Sequence, residues 1–446
     1  MLSFADNEML TRTGEGTPMG TLFRRFWTPF LLSQELPEPD APPVRVRVMG
    51  EDLVAFRDTR GRVGLVEPQC PHRGANLFWG RNEDNGLRCA FHGWKFDVEG
   101  RCVDMPCVPN GANYMKTIRL KSYEVEERGG MLWAYMGPPE AKPTFPAIEF
   151  TMLPASHVFV SKKLQECNWA QACEGGLDTA HFSYLHMAVS ASEEEFMKTM
   201  SRADASQQFQ RVKWMKDDGA PRFTIIAHDA GIVIGGARTA DPGNTYWRIS
   251  QFLMPNHGYT PNAFPGESYH GQTWIPIDDH SCWIYCYTWN PERPITEAER
   301  RKYAGGFAVH AEVDEKWIPI RNRSNDYLID RVEQKHRSFT GITGVSEQDA
   351  CIQDSQGWIA DRTREHLGPT DMGVVQFRKL VLGAAKALAG GEEPKAAGAP
   401  QAYAVRCGGA ITPDAVPLAD VMTQRFGSPT GRYDAPSPQS TEGVAS

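Results

Sequence analysis

Two Cys/His pairs stand close together in CPHRGANLFWGRNEDNGLRCAFHGWKF: Cys70-x-His72 and Cys89-x-x-His92, with sixteen residues between them. Thiolate and imidazole are the side chains that bind borderline-soft metals. Structural zinc sites usually pair like with like, as C-x(2–4)-C and H-x(3–5)-H. Here each pair is mixed. That suits a [2Fe–2S] cluster in which both thiolates hold one iron and both imidazoles the other, each loop giving one of each. Pro71, Gly74, Gly86 and Gly93 permit tight loops against such a cluster, and Trp79, Phe91 and Trp94 are expected to shield it. A cluster ligated in this way, a Rieske cluster, has a higher reduction potential than an all-cysteine one and works as a one-electron relay.

A relay needs a second centre. Downstream, CNWAQACEGGLDTAHFSYLH holds Asp178, His181 and His186 as D-x-x-H-x-x-x-x-H. Two imidazoles and one carboxylate on one face of Fe(II) leave positions open for oxygen and substrate. Five residues along an ideal helix turn through about 500°, which leaves the two side chains roughly 140° apart. His181 and His186 can therefore share a metal only if the helix ends, bulges or bends. Asp178, three residues before His181, is better placed to orient that imidazole than to be the third ligand. A distant carboxylate should complete the set. TGVSEQDACIQDSQGW offers Glu347, Asp349 and Asp354 near the start of an expected helix, and spacing does not choose among them.

The elements that must position these groups read as two regions. The chain of 446 residues is long for a single core. Residues 1–40 suggest a helical lead-in, with Thr17-Pro18 as a cap. From Val44 the apolar period is two, and LVAFRD-TRGR-VGLVE and KSYEVEERGGMLWAYMG read as strand pairs. An all-β cluster domain is expected over 41–140, a stiff proline-rich linker over 141–149, a mixed second domain over 150–431, and a disordered tail over 432–446. In the second domain YWRISQFLMP and SCWIYCYTWNP read as strands, TEAERRKYAGGF and DSQGWIADRTREHLG as helices.

Net charge is −8, and no basic block stands out, which argues against nucleic acid or an anionic membrane as partner. No apolar run reaches the ~18 residues of a membrane span, and the first residues lack a signal-peptide pattern. A cytoplasmic protein with reduced thiols is expected, most of the other eight cysteines being small buried apolar residues.

Together, GTPMGTLFRRFW, CPHRG…CAFHGWKFD, NWAQACEGGLDTAHFSYLH and SEQDACIQDSQGWIADRTREHLGPTD resemble the catalytic α subunits of Rieske non-haem iron oxygenases, phthalate dioxygenase branch, to about residue 425. The resemblance implies an α+β chain: an all-β Rieske domain, then a catalytic domain with a curved antiparallel sheet flanked by helices. It implies a [2Fe–2S] cluster on Cys70, His72, Cys89 and His92, and Fe(II) on His181, His186 and Asp349. It implies that Asp178 bridges His181 to His92 of a neighbouring subunit, hence a trimer or a dimer of trimers. A reductase, directly or through a ferredoxin, would supply electrons from NAD(P)H. The expected reaction is O2-dependent hydroxylation of a phthalate-like aromatic acid, or O-demethylation of a methoxylated aromatic or biaryl acid by the same apparatus. A Rieske electron carrier with no oxygenase activity is the reading of another class. An acid substrate calls for an arginine, and Arg222, Arg238 and Arg248 are the candidates in strand-like segments.

Overall fold

The computed structural model describes residues 1–188 and 205–435. Ten short strands come first: β1 Trp27–Leu32, β2 Val44–Val48, β3 Glu51–Arg57, β4 Val63–Val66, β5 Arg81–Glu83, β6 Gly86–Arg88, β7 Lys95–Phe96, β8 Cys102–Asp104, β9 Ser122–Arg128 and β10 Met131–Tyr135. They form a six-stranded antiparallel sheet, β1-β10-β9-β4-β3-β2, and a four-stranded one, β5-β6-β7-β8. Two-residue turns with positive φ join β2 to β3 (Met49, Gly50), β5 to β6 (Asp84, Asn85) and β9 to β10 (Gly129, Gly130). Such turns match the right-handed twist of the paired strands.

The larger sheet is apolar on both faces at β3. Leu53 and Ala55 join the main core, while Val54 and Phe56 point the other way into a second core with Val66, Leu77, Leu87, Trp94 and Phe96. Strand alternation therefore glues the small sheet that carries the Cys/His loops onto one face and the rest of the protein onto the other.

The second region is built on an eight-stranded antiparallel sheet. Its strands are β11 Val158–Gln165, β12 Arg222–His228, β13 Gly231–Thr239, β14 Asn244–Leu253, β15 His257–Tyr259, β16 Tyr269–Pro276, β17 Cys282–Trp289 and β18 Gly408–Pro413. The order is β11-β17-β16-β15-β14-β13-β12, with β18 also paired to β14. Helices Trp169–Leu177, Val345–Ser355 and Met372–Ala389 pack around it. None of the described helices is long and apolar enough to cross a membrane.

Several boundaries differ from expectation. The lead-in is α-helical at Phe4–Thr11 and Pro18–Phe23, with one 3-10 turn at Ser33–Glu35; between them β1 joins the first sheet against β10. Its helices are tied to the second region, Trp169 Nε1 donating to the Leu10 carbonyl (3.2 Å) and Asn168 Nδ2 to that of Thr11 (2.9 Å). The proline-rich stretch 141–149 is packed rather than a free spacer. Phe145, Ala147 and Ile148 are buried, and Glu149 accepts from Trp289 Nε1 at 2.9 Å. Both regions thus share one continuous apolar core. The expected helix DSQGWIADRTREHLG lies too late in the chain: the helix is Val345–Ser355, and Gly357 at φ +94° turns the chain away. Tail residues 432–435 are anchored, the Tyr433 N–H donating to the Ala404 carbonyl at 3.0 Å. Residues 436–446 lie outside the described residues.

The N-terminal helix, helix Trp169–Leu177 and helix Met372–Ala389 meet at one buried carboxylate. Glu174 accepts from Arg362 Nε (2.9 Å) and Nη2 (3.0 Å) and from Arg378 Nε (2.7 Å), while Arg362 Nη1 donates to Asn7 Oδ1 (3.1 Å). Burial pushes the Glu174 carboxyl up, but the two guanidinium groups outweigh it and hold the pKa below the usual range. Glu174 therefore stabilises the fold fully above the ordinary glutamate range, and that contribution drains as pH falls through the lowered value. Glu174→Gln, which leaves buried Arg362 without a carboxylate and Arg378 with Glu365 alone, should cost ~3–5 kcal/mol in denaturant unfolding. It should also flatten the acid limb of stability; a wild-type acid limb would contradict this.

Candidate active site

The two Cys/His loops are built alike. In the first, the Cys70 N–H donates to the Ala75 carbonyl (2.9 Å) and the Gly74 N–H to that of Cys70 (2.8 Å). In the second, the Cys89 N–H donates to the Trp94 carbonyl (2.8 Å) and the Gly93 N–H to that of Cys89 (3.0 Å). Gly74 and Gly93 hold the same left-handed conformation, φ +73° and +77°. The pattern is Cys at i, Gly at i+4 and a closing carbonyl at i+5, with histidine at i+2 in one loop and i+3 in the other. The β5–β6 hairpin joins the two loops and sets their spacing.

Cys70 and Cys89 are buried side by side; burial, with Cys89 adding to it, pushes the Cys70 thiol up to about 11. The His72 and His92 rings lie 4.4 Å apart, and the Nδ1 atom of each is buried with no protein partner among the described residues. Two adjacent thiols and two unpartnered imidazole nitrogens are the donor set of a [2Fe–2S] cluster with split ligation, so the residues fit that group. Trp94 stacks on His72 (4.5 Å, 11°) and covers it. Trp79 and Phe91, expected as shields, are 69% and 55% exposed. Phe91 takes the i+2 position that His72 holds in the first loop, and its ring lies beside His92 (3.9 Å).

The second constellation converges as well. Helix Trp169–Leu177 stops at Leu177, Asp178 caps it in extended conformation, and a single 3-10 turn, His181–Ser183, follows. The α-helix has ended before His181, and the 3-10 turn itself ends at Ser183, so the break demanded by the five-residue spacing lies between the histidines. His181 Nε2 and His186 Nε2 come to 3.0 Å, and Asp349 Oδ1 lies 3.5 and 3.3 Å from them. Each ring's other nitrogen is engaged: His181 Nδ1 with Asp178 Oδ2 (3.3 Å), His186 Nδ1 with Gln348 Oε1 (2.6 Å). With both Nδ1–H groups donating away, both Nε2 lone pairs face the Asp349 oxygen, which is buried and has no hydrogen-bond donor. Burial pushes the Asp349 carboxyl up, but His186 and His181, where they carry a second proton, hold it below its usual range. Two bare nitrogens and a buried carboxylate within 4.8 Å of one another fit a divalent metal.

Glycines make this convergence possible. A Cβ at Gly175 would lie 1.9 Å from Gln353 Nε2, and one at Gly176 2.2 Å from Trp274 Cζ2. The Gly-Gly pair lets helix Trp169–Leu177 nest between β16 and helix Val345–Ser355, which carries Asp349. Of the three carboxylates on that helix, only Asp349 reaches the histidines. Glu347 is buried, and Asp354, at the end of the helix rather than its start, accepts from the Tyr327 hydroxyl (2.5 Å).

A cavity of about 810 Å³ opens beside this group, lined by Asp178, His181 and Asp349 and by Arg211 and Arg248. Of the three arginines singled out from the sequence, Arg248 alone lines it. Arg222 is exposed at the start of edge strand β12. Arg238 is fully buried behind the wall, donating through Nη2 to the Thr179 carbonyl (2.6 Å). Arg248 Nε donates to Thr179 Oγ1 (2.9 Å), its guanidinium lies over the Phe182 ring (4.1 Å), and its Nη2 is buried without a partner among the described residues.

Sequence reasoning missed Gln348, Thr179 and Arg211. Gln348 adjoins Asp349, so its position was visible but not its role. Arg211 comes from helix Ala205–Asp217, lies over Phe264 (3.5 Å) and pairs with Glu267 (3.0 Å), a contact between distant segments that no local pattern marks.

Comparison with known proteins agrees with this geometry. Residues 26–124 match the Rieske [2Fe-2S] domain, and residues 134–414 match the family described as LigXa C-terminal domain like. Over 401 residues, 88% of each chain, the protein is 38% identical to the phthalate 4,5-dioxygenase oxygenase subunit of Pseudomonas putida. Over 410 residues it is 32% identical to the 5,5'-dehydrodivanillate O-demethylase oxygenase subunit of Sphingobium sp. (strain NBRC 103272 / SYK-6), covering 89% of this chain and 83% of that one. In fold it is similar to dicamba monooxygenase bound to dicamba, with a TM-score of 0.53 at 16% identity over 83% of this chain and 99% of that chain. The protein belongs to the Rieske non-haem iron oxygenases, as an oxygenase (α) subunit of a multicomponent system, with a [2Fe–2S] cluster and a mononuclear iron as its cofactors.

Proposed function

We propose that this oxygenase oxidises a phthalate-like aromatic acid held in the cavity by Arg248. The observation that carries the reading is the buried, unpartnered Nη2 of Arg248 on the wall shared with His181 and Asp349. A buried guanidinium N–H without an acceptor is costly, and a carboxylate brought into the cavity would satisfy it. Phe182, beneath Arg248, offers an aromatic face to the same ligand.

In this reading Cys70, His72, Cys89 and His92, within residues 41–140, hold the cluster, and His181, His186 and Asp349, within 150–431, hold the iron. When bound, these groups supply single electrons and a site at which O2 is reduced beside the substrate. The chain's own residues do the rest. Asp178 and Gln348 fix the imidazole tautomers so that both Nε2 atoms stay free for metal. Arg248 sets which part of the ring faces the metal group. Asp178, partly exposed, is proposed to bridge His181 to the partner subunit's His92, which makes the working unit a trimer or a dimer of trimers. The aromatic faces exposed beside the cluster, Trp79 and Phe91, suit such a contact. The electron donor is a reductase or a ferredoxin, and the setting is the cytoplasm.

The size of the cavity favours a second reading. A volume of about 810 Å³ is near the upper end for small-molecule sites and generous for a one-ring diacid. A methoxylated biaryl acid would fill it better, and the reaction would then be O-demethylation. Product analysis with phthalate and with methoxylated biaryl acids separates the two: a ring diol in one case, formaldehyde and a phenol in the other.

Three outcomes test the site. Asp349→Ala should lose the mononuclear iron and keep the cluster, so that iron falls from three to two per chain with an unchanged visible spectrum; three irons in the variant would remove Asp349 from the ligand set. Arg248→Met should weaken phthalate binding about tenfold to a hundredfold, the size of a lost hydrogen bond to a charged group. Unchanged affinity would exclude Arg248 as the anion site. Asp178→Asn should leave chemical reduction of the cluster normal yet slow turnover about a hundredfold, as misplacement at a reacting centre does; normal turnover would end the bridging role.

A further inference from the structure

Thr179 stands between the relay carboxylate Asp178 and the ligand segment His181–His186, and both of its oxygens are held by buried arginines. Its hydroxyl accepts from Arg248 Nε (2.9 Å), and its carbonyl accepts from Arg238 Nη2 (2.6 Å). The residue is itself buried. Arg238 and Arg248 come from neighbouring strands and point to the same face of the sheet, since Arg248 is registered opposite Gly236. That glycine makes the seat: a Cβ there would lie 2.8 Å from Thr179 Cγ2. No carboxylate pairs directly with either guanidinium among the described residues. Arg238 Nε and Nη1 and Arg248 Nη2 are all buried without partners. Two like charges therefore share one neutral residue as their common acceptor.

From this arrangement we infer that Thr179 is a positioning residue that couples substrate binding to the placement of Asp178. The inference rests on the reading of Arg248 as the anion site. A carboxylate at Arg248 Nη2 neutralises one of the two repelling cations and redirects its guanidinium. The Nε of the same planar group is bonded to the Thr179 hydroxyl, so the redirection is felt one residue away from Asp178. Asp178 Oδ1 accepts from the Ala180 N–H (2.7 Å) and its Oδ2 meets His181 Nδ1, so its side chain is set by the two residues that follow Thr179. The substrate anion and the Asp178 carboxylate are thereby connected through Arg248 on β14 and Thr179 beside Asp178.

Coupling between two positions is reciprocal and can be read from binding alone. Phthalate dissociation constants would be measured by calorimetry on the iron-loaded, cluster-intact holoenzyme in four forms: wild type, Asp178→Asn, Thr179→Val and the double variant. Asp178→Asn should shift phthalate affinity about fivefold or more in the wild-type background, the lower end of ordinary coupling between sites. The same change should shift it less than twofold when Thr179 is valine, and Thr179→Ser, which restores the hydroxyl, should bring the shift back. A through-space effect of the Asp178 charge does not need the hydroxyl. An equal shift in both backgrounds would therefore overturn the coupling while leaving Arg248 as the anion site, and so would the absence of any Asp178→Asn shift. If wild-type enzyme titrates with neither phthalate nor benzoate, the aromatic-acid reading itself fails and the coupling falls with it. Circular dichroism and the cluster spectrum of Thr179→Val identify a misfolded variant, in which case the Thr179→Ser and Thr179→Ala forms carry the same cycle.

Discussion

Two imidazole lone pairs and a buried carboxylate oxygen within hydrogen-bonding range of one another repel unless a proton or a metal lies among them. The catalytic region is organised to hold that arrangement. Asp178 and Gln348 keep the rings from turning the other nitrogen inward. Gly175 brings the helix that precedes the histidines close to the helix that carries Asp349, and Gly176 seats it against Trp274 of β16. Glu174, one turn before the ligand loop, anchors its helix to the N-terminal segment and to the long C-terminal helix through buried arginines. A site that is unfavourable when empty has to be over-determined by its surroundings, and these contacts supply that.

The cluster end solves a gentler problem by repetition. Two loops with one hydrogen-bonding scheme close on a hairpin whose turn fixes their separation, so the pairing of Cys70 with Cys89 and of His72 with His92 follows from geometry. The loops are equal in length and differ in where the histidine sits, at i+2 in one and i+3 in the other. Because Cys89 is followed by two residues before its histidine, the second loop carries Phe91 into solvent beside His92, whereas His72 lies under Trp94. One histidine is covered from within the chain, and the other is edged by an exposed aromatic.

What was legible in the sequence was the part carried by residue type and spacing. The mixed Cys/His pairs named their cluster, and the five-residue histidine spacing demanded a broken helix. Alternation of Val44, Val46 and Val48 with arginines gave a half-buried strand. The resemblance chose Asp349 where spacing could not, because Glu347, Asp349 and Asp354 share one helix and differ only in their face and place along it. The choice among Arg222, Arg238 and Arg248 was equally hidden: all three lie in strands, and only the register of β13 against β14 and the edge position of β12 separate them. The proline-rich linker misled for a related reason. Prolines mark extended backbone, but whether that backbone is free depends on partners far away in sequence, here Pro400 and Trp289.

That packed linker bears on how the enzyme can respond to its substrate. With one core running through both regions, a hinge between the cluster domain and the catalytic domain would have to break apolar packing along its whole length. Any response to a bound ligand must therefore be local. The stretch from Asp178 to Met187 is the natural place, for it leaves an α-helix and continues as a 3-10 turn and bends, with little regular hydrogen bonding to lose. The same stretch contains both histidines, the Asp178 carboxylate that orients one of them, and the residue gripped by two buried arginines. Among the described residues, the shared core thus leaves these ten residues as the part of the site with least regular structure to lose.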